Sequence, residues 1–246
     1  MKKCTLVIPC YNEADRLDRQ AFARFLNDNP AVSCLFVNDG SRDATGEMLR
    51  NLCRGRSNAY LLELEQNQGK AEAVRLGMLA AAANTDTPLI GFWDADCATP
   101  LEELPRFLDA AAPGVLLVSG CRLKRLGGEV ERSLLRHLLG RSFATAISCF
   151  LKLPVYDTQC GAKLYRTAVV GTVCSRPFVT RWFFDVEIFC RMIAEYGREK
   201  VRRSCIELPL NRWAEVGESK LRLLPALGDF MKLVWAMEFY GHSRKQ

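Results

Sequence analysis

Leu89-Ile90-Gly91-Phe92-Trp93-Asp94-Ala95-Asp96 is the stretch whose reading decides the fold. Its first five residues are apolar and stop abruptly at a carboxylate. A run that short fits a buried strand better than a helix. Two carboxylates follow, two residues apart, and the period of two in extended chain aims both to the same side. Outward from this stretch the same arrangement recurs. Thr5–Ile8, Cys34–Val37, Tyr60–Leu64 and Val115–Ser119 are further short apolar runs. Between the runs lie stretches of helical period, at about 14–28, 43–53, 69–84 and 101–111. Strands alternating with helices predict an α/β fold: a mostly parallel, Rossmann-like sheet with helices on both faces. Right-handed crossovers bring the loops after the strands to one edge, where open α/β sheets bind ligands.

The polar residues gather at that edge. Pro9-Cys-Tyr11-Asn12-Glu13 follows the first run, Asn38-Asp39-Gly40-Ser41 the second, Asn67-Gln68-Gly69-Lys70 the third, and Asp94-Ala95-Asp96 the fourth. Two carboxylates side by side repel, so a cation is their natural partner. Hard oxygen ligands favour Mg²⁺ or Mn²⁺, which also bridge a diphosphate. A solvated acidic turn capping the helix near Leu101 is the plainer alternative. Asp39 is placed to accept from a base or ribose, or else only shapes a strand-to-helix turn, with Asp43 as a helix cap nearby. Lys70 is placed to reach a phosphate from the helix that opens at Gly69, or is a solvated helix residue.

Composition narrows the class. The 246 residues are 49% hydrophobic and 25% charged, which describes a globular α/β domain with a real core. Eleven cysteines are scattered without C-x-x-C spacing, and there are two distant histidines, His137 and His242. That excludes a zinc site and predicts a reducing, cytoplasmic setting. No stretch reads as a signal peptide, and none approaches the ~20 apolar residues of a spanning helix. The net charge of +6 suits phosphates or anionic surfaces. The basic residues are dispersed and form no nucleic-acid-reading motif.

The set P-x-Y-N-E, N-D-G-S-x-D-x-T, N-x-G-K and D-A-D, in this order, resembles glycosyltransferase family 2. The resemblance implies a GT-A fold and a nucleoside-diphosphate sugar as donor. It places Pro9, Tyr11, Asn12, Glu13, Asp39, Lys70, Asp94, Ala95 and Asp96 at the donor, with Asp94 and Asp96 holding Mg²⁺ or Mn²⁺. Farther along, Asp157-Thr-Gln159-Cys-Gly161-Ala-Lys-Leu-Tyr165, Arg181-Trp-Phe-Phe-Asp185-Val-Glu187 and Trp213-Ala-Glu-Val-Gly-Glu-Ser-Lys220 resemble the dolichyl-phosphate glucosyltransferases and related polyprenyl-phosphate sugar transferases.

That resemblance, which extends to the dolichol-phosphate mannose synthases, implies inverting transfer of a hexose to a polyprenyl phosphate, with glucose from UDP-glucose as the first expectation and mannose from GDP-mannose as the alternative. It sets Asp157 or Gln159 beside the acceptor. Asp185 and Glu187 are rival bases, or simply acidic residues complementing a helix start. Lys220, with Arg212 or Arg222, is expected to clamp phosphate charge. Two other functions stay open: a family 2 transferase with a soluble or polysaccharide acceptor, and a nucleotide-sugar-binding protein without turnover. Residues 1–222 are expected to form the transferase domain, with 1–120 as the donor half and 121–222 as the acceptor half. A helix is expected near 183–196, a strand near 201–208 and a C-terminal amphipathic helix and tail over 223–246. Residues 130–152 also have amphipathic spacing. Both helices either lie on a membrane surface or close the core, so peripheral contact with the cytoplasmic membrane face is the most that is expected.

Overall fold

In the computed structural model, described for residues 2–84, 86–130, 134–214, 228, 229 and 232, the apolar runs form strands. They are Cys4–Cys10 (β1), Val32–Asp39 (β2), Ala59–Leu64 (β3), Leu89–Trp93 (β4) and Leu117–Cys121 (β5). Helices Arg19–Asp28 (α1), Thr45–Cys53 (α2), Lys70–Asn84 (α3) and Leu104–Ala110 (α4) connect them. The second half adds Glu129–Val130 (β6), Leu134–Leu151 (α5), Ala162–Arg166 (β7), Thr167–Cys174 (α6), Phe184–Tyr196 (α7), Arg198–Ser204 (α8), Cys205–Pro209 (β8) and Arg212–Trp213 (β9).

The main sheet has the order β3-β2-β1-β4-β7-β5-β8. β1 to β4 are parallel neighbours, and β7 runs antiparallel between β4 and β5. The strand order reverses at β1, with β2 and β3 on one side and β4 on the other. Ligands enter such sheets beyond the carboxyl ends at that point, and Asp94 lies there.

Alternation along the strands divides the core in two. Leu6, Ile8, Cys34 and Phe36 pack with Phe22, Leu26, Leu49 and Phe107 of α1, α2 and α4. Val7, Val37, Ile90, Phe92 and Tyr165 pack with Val74 and Met78 of α3 and with α6 and α7. Within the amphipathic stretch 130–152, Leu134–Leu151 form α5, whose Ile147 and Leu151 are buried in this second layer. At its C-terminal half, then, the apolar face closes the core. No helix among the described residues is long and apolar enough to cross a membrane.

The strand expected near 201–208 is corrected. Residues 198–204 are helical, and the strand is Cys205–Pro209. Gly197, at φ +80°, breaks the chain after α7, and Glu199 then pairs with Arg202 and Arg203 one turn on. Such pairs favour helix over strand. The first helix also starts later than expected, at Arg19, because the Asp18 side chain accepts from the Ala21 N–H. The expected helix over 223–240 lies outside the described residues apart from Gly228, Asp229 and Lys232.

Candidate active site at the carboxyl edge of the sheet

The sequence motifs hold one another in place. Asn12, at φ +52°, donates its N–H to Ser41 Oγ at 3.0 Å, and its Oδ1 accepts from the Arg42 N–H at 2.9 Å. Glu13 N–H reaches Thr45 Oγ1 at 2.8 Å. Asp43 accepts from the Ala14 and Thr45 N–H groups, the second at the start of α2. The loops after β1 and β2 are therefore one stitched unit. Tyr11 is left exposed on it, while Pro9 is still within β1.

Asp39 is 2% exposed, and it organises the third loop. Its carboxylate accepts from Gln68 N–H at 2.7 Å, Gly69 N–H at 2.8 Å and Asn67 Nδ2 at 2.9 Å. Gly40 (φ +61°) is required beside it, because a Cβ there would stand 2.4 Å from the Gln66 carbonyl carbon. This contact fixes the loop that launches α3 and delivers Lys70. Gly40→Ala is expected to destabilise the fold by about 1–3 kcal/mol through strain at a positive φ and that clash, read as a lower melting temperature.

β4 ends at Trp93, fully buried, whose Nε1 donates to the Thr99 carbonyl at 2.7 Å. This pins the turn carrying both carboxylates. Lys70 Nζ lies 2.5 Å from Asp94 Oδ1, and Arg16 lies 3.4 Å from Asp96 Oδ2. Burial, then the neighbouring Asp94 charge, push the Asp96 pKa up. Burial works against the Lys70 ammonium, but Asp94 outweighs it and the Lys70 pKa rises. Ala95 between them is buried.

The donor set fits a divalent cation. Two hard carboxylates follow the same strand, the Asp94 charge helps to push the Asp96 pKa up, and Lys70 and Arg16, from two other segments, already pair with them. No group of three His, Cys, Asp or Glu among the described residues could hold a metal. The fit is therefore to an ion that takes one or two carboxylates and completes its shell with phosphate oxygens and water, as Mg²⁺ and Mn²⁺ sites do.

The loop after α5 closes the crevice from the other half. Glu207 on β8 accepts from the Tyr156 and Asp157 N–H groups, each at 2.7 Å. Asp157 accepts from Arg122 Nε at 2.7 Å, Nη2 at 2.8 Å and the Arg122 N–H at 3.0 Å. Although burial opposes ionisation, the Arg122 guanidinium holds the Asp157 pKa down at about 2. Gln159 Nε2 is buried without a hydrogen-bond partner among the described residues. Gly161 packs on Asp94: its carbonyl accepts from the Asp94 N–H at 3.0 Å, and a Cβ would lie 1.9 Å from Oδ2.

The other acidic pair separates. Asp185 pairs with Lys163 at 2.6 Å; burial raises its pKa, and Lys163 opposes that rise. Glu187 is fully buried and accepts from the Val179 N–H at 2.9 Å and Arg191 at 2.8 Å. Within α7, Glu187 is thus engaged by the chain's own donors, whereas Asp185 lies nearer the carboxylate pair. Arg212 is exposed on β9, with Glu129 3.9 Å away. Lys220 and Arg222 lie outside the described residues.

Arg122 was not legible beforehand. It is a single arginine at a strand end, and only its bidentate grip on Asp157 and its place 5.5 Å over the Trp213 ring give it meaning. Arg122→Met should cost stability. The folded Asp157 value of about 2 lies below the ordinary 3.8, so the pair stabilises the fold above about pH 4 and loses that effect as pH falls towards 2. Losing it is expected to cost about 2 kcal/mol at pH 7 and to flatten the acid-unfolding curve between those values.

Comparison with known proteins bears on this geometry. Residues 5–173 match Glycosyl transferase family 2. The dolichyl-phosphate beta-glucosyltransferase ALG5C of Trichomonas vaginalis is 32% identical over 233 residues, covering 89% of this chain and 66% of that protein. The dolichyl-phosphate beta-glucosyltransferase of Drosophila melanogaster is 30% identical over 261 aligned positions, covering 98% and 76%. Among solved structures, glucosyl-3-phosphoglycerate synthase from Mycobacterium tuberculosis superimposes with a TM-score of 0.67 in its UDP complex, at 17% identity, covering 96% of this chain and 80% of that one. Its complex with Mn²⁺, UDP-glucose and phosphoglyceric acid gives 0.64 at the same identity and coverage. The mostly parallel seven-stranded sheet with its helices is a GT-A fold, and over residues 5–173 the chain belongs to glycosyl transferase family 2.

Proposed function

We propose that the chain transfers glucose from UDP-glucose to a polyprenyl phosphate, with inversion at the sugar carbon. The observation that carries this reading is the meeting of two loops at one point: Gly161, from the segment that resembles the dolichyl-phosphate glucosyltransferases, packs on Asp94 of the carboxylate pair. The acceptor-side loop thus touches the donor-side carboxylate directly.

The donor's diphosphate is assigned to Asp94, Asp96 and Lys70. Asp94 and Asp96 would hold Mg²⁺ or Mn²⁺, which when bound supplies positive charge against the leaving diphosphate. Lys70, now on Asp94, is positioned to move to a phosphate oxygen. Asp39 uses three of the ~four acceptor positions of a carboxylate on its loop, leaving one for an N–H of the base. Tyr11, exposed on the stitched loops, lies at the same edge.

In the transfer, a phosphate oxygen of the acceptor forms the new bond to the sugar carbon, and the bond from that carbon to the diphosphate breaks with its electron pair leaving on the diphosphate. An acceptor monoester with a second pKa near ~6 is already largely anionic at neutral pH, so no base is required. Asp157, held at about 2 by Arg122, is a poor proton acceptor and serves to orient. Gln159 Nε2 supplies a free donor for the acceptor or sugar. Arg212, Lys220 and Arg222 are proposed to add phosphate charge from the following segment. Catalysis then rests on placement and on stabilising the leaving group.

The test is transfer by purified protein with Mn²⁺, using labelled UDP-glucose and GDP-mannose against a short polyprenyl phosphate. An acid-labile, glucose-bearing lipid is expected. Donor turnover without lipid product would move the acceptor to a soluble or polysaccharide molecule, and no metal-dependent turnover would leave a binding protein.

A further inference from the structure

Lys163 has no exposed surface, and the chemistry above gives it no task. It lies on β7, opposite Phe92 of β4 in the antiparallel register. Its ammonium donates to the Cys160 carbonyl at 2.6 Å and to Asp185 Oδ1 at 2.6 Å, and stands 5.1 Å from the Phe92 ring centroid. Packing alone does not call for a cation here. Apolar residues of similar volume often replace a buried ion pair without loss of stability.

The two atoms it holds point to another role. The Cys160 carbonyl belongs to the peptide that enters Gly161, and Gly161 is the wall against which the Asp94 carboxylate rests. Asp185 Oδ2 makes no hydrogen bond among the described residues. The Asp185 carboxylate also interacts electrostatically with Lys70 and Asp94. Lys163 therefore ties the Asp94 wall to the start of α7, from beneath the crevice.

We propose that Lys163 is a positioning residue: by holding the Cys160 carbonyl and the Asp185 carboxylate together, it fixes the Cys160–Gly161 peptide and so aims Asp94 at the metal and diphosphate. The inference rests on the donor half of the function proposed above and not on the identity of the acceptor. Residues that orient a ligand's support typically change metal affinity by about 10–100-fold when removed.

The test measures UDP binding by calorimetry, with Mn²⁺ and with EDTA, for the wild type, Lys163→Met and the double variant Lys163→Met/Asp185→Leu. Melting curves identify which variants are folded. The wild type is expected to bind UDP more tightly with Mn²⁺. In the folded variants that Mn²⁺-dependent gain should fall by about tenfold or more, while affinity in EDTA stays close to the wild-type value. A purely structural lysine would not separate the two conditions. If the single variant leaves Asp185 unpaired and does not fold, the double variant, with both buried charges replaced, decides. An intact Mn²⁺-dependent gain in either folded variant overturns the inference. A wild type with no Mn²⁺-dependent gain overturns the donor reading, and the inference with it.

Discussion

Asp96→Ala is expected to lower kcat for sugar transfer by about 10³-fold while leaving the melting temperature unchanged or higher. Removing one preorganised group that stabilises developing charge typically costs about 10²–10³-fold. A site with only two protein carboxylates has little redundancy, so the loss should reach the upper end. The stability side follows from the same geometry. The Asp96 pKa is pushed up by burial and then by Asp94, so folding disfavours its charged form at neutral pH. Deleting it relieves that cost and gives up only a 3.4 Å contact with Arg16 and the acceptance of the Ala98 N–H. Activity and thermal melting, measured on one preparation, check both halves. Full transfer by the variant, or by wild type under tight chelation, would remove the metal assignment.

Gly161→Ala should come close in effect, although the residue carries no functional group. The added methyl would stand 1.9 Å from Asp94 Oδ2 and 2.2 Å from its Cγ. No non-bonded pair of heavy atoms tolerates that distance, so the carboxylate must swing by about an ångström. A misplacement of that size costs about 10²-fold in rate. The clash is with a movable side chain, so the expected loss of stability is small, about 1–2 kcal/mol. Steady-state transfer should therefore collapse in a protein whose circular dichroism is normal. Wild-type kcat in this variant would mean that Asp94 does not need its present rotamer.

The first half of the chain was legible because each signal there was local. β1, β2 and β4 are nearly continuous apolar runs, as strands buried on both faces must be, while β3 at the sheet edge is more exposed. All four are followed by polar residues whose placement the parallel topology dictates. What the sequence left open was which polar residues bind ligand and which bind one another. Asp39 alone reads first as a turn residue and only second as a ligand contact, and the fold shows it clamping three donors of the next loop. The second half was less legible. β7 carries a lysine at its second position, which breaks the apolar pattern, and only the Asp185 carboxylate arriving from α7 explains it. Glu187 looked like a partner of Asp185 by spacing. Two positions apart on a helix, though, side chains diverge, and Glu187 turns to Arg191 instead. Arg122 and Asp157 are 35 residues apart, and no local pattern joins them.

The carboxylate pair at the end of β4 is the centre of the account, and anomalous diffraction from crystals grown with Mn²⁺ and UDP tests it most directly. The account predicts a Mn²⁺ peak with carboxylate oxygens of Asp94 and Asp96 and diphosphate oxygens in its shell, about 2.0–2.6 Å away, and Lys70 drawn off Asp94 towards a phosphate. UDP bound with no Mn²⁺ between the two aspartates, and Lys70 still resting on Asp94, would contradict it.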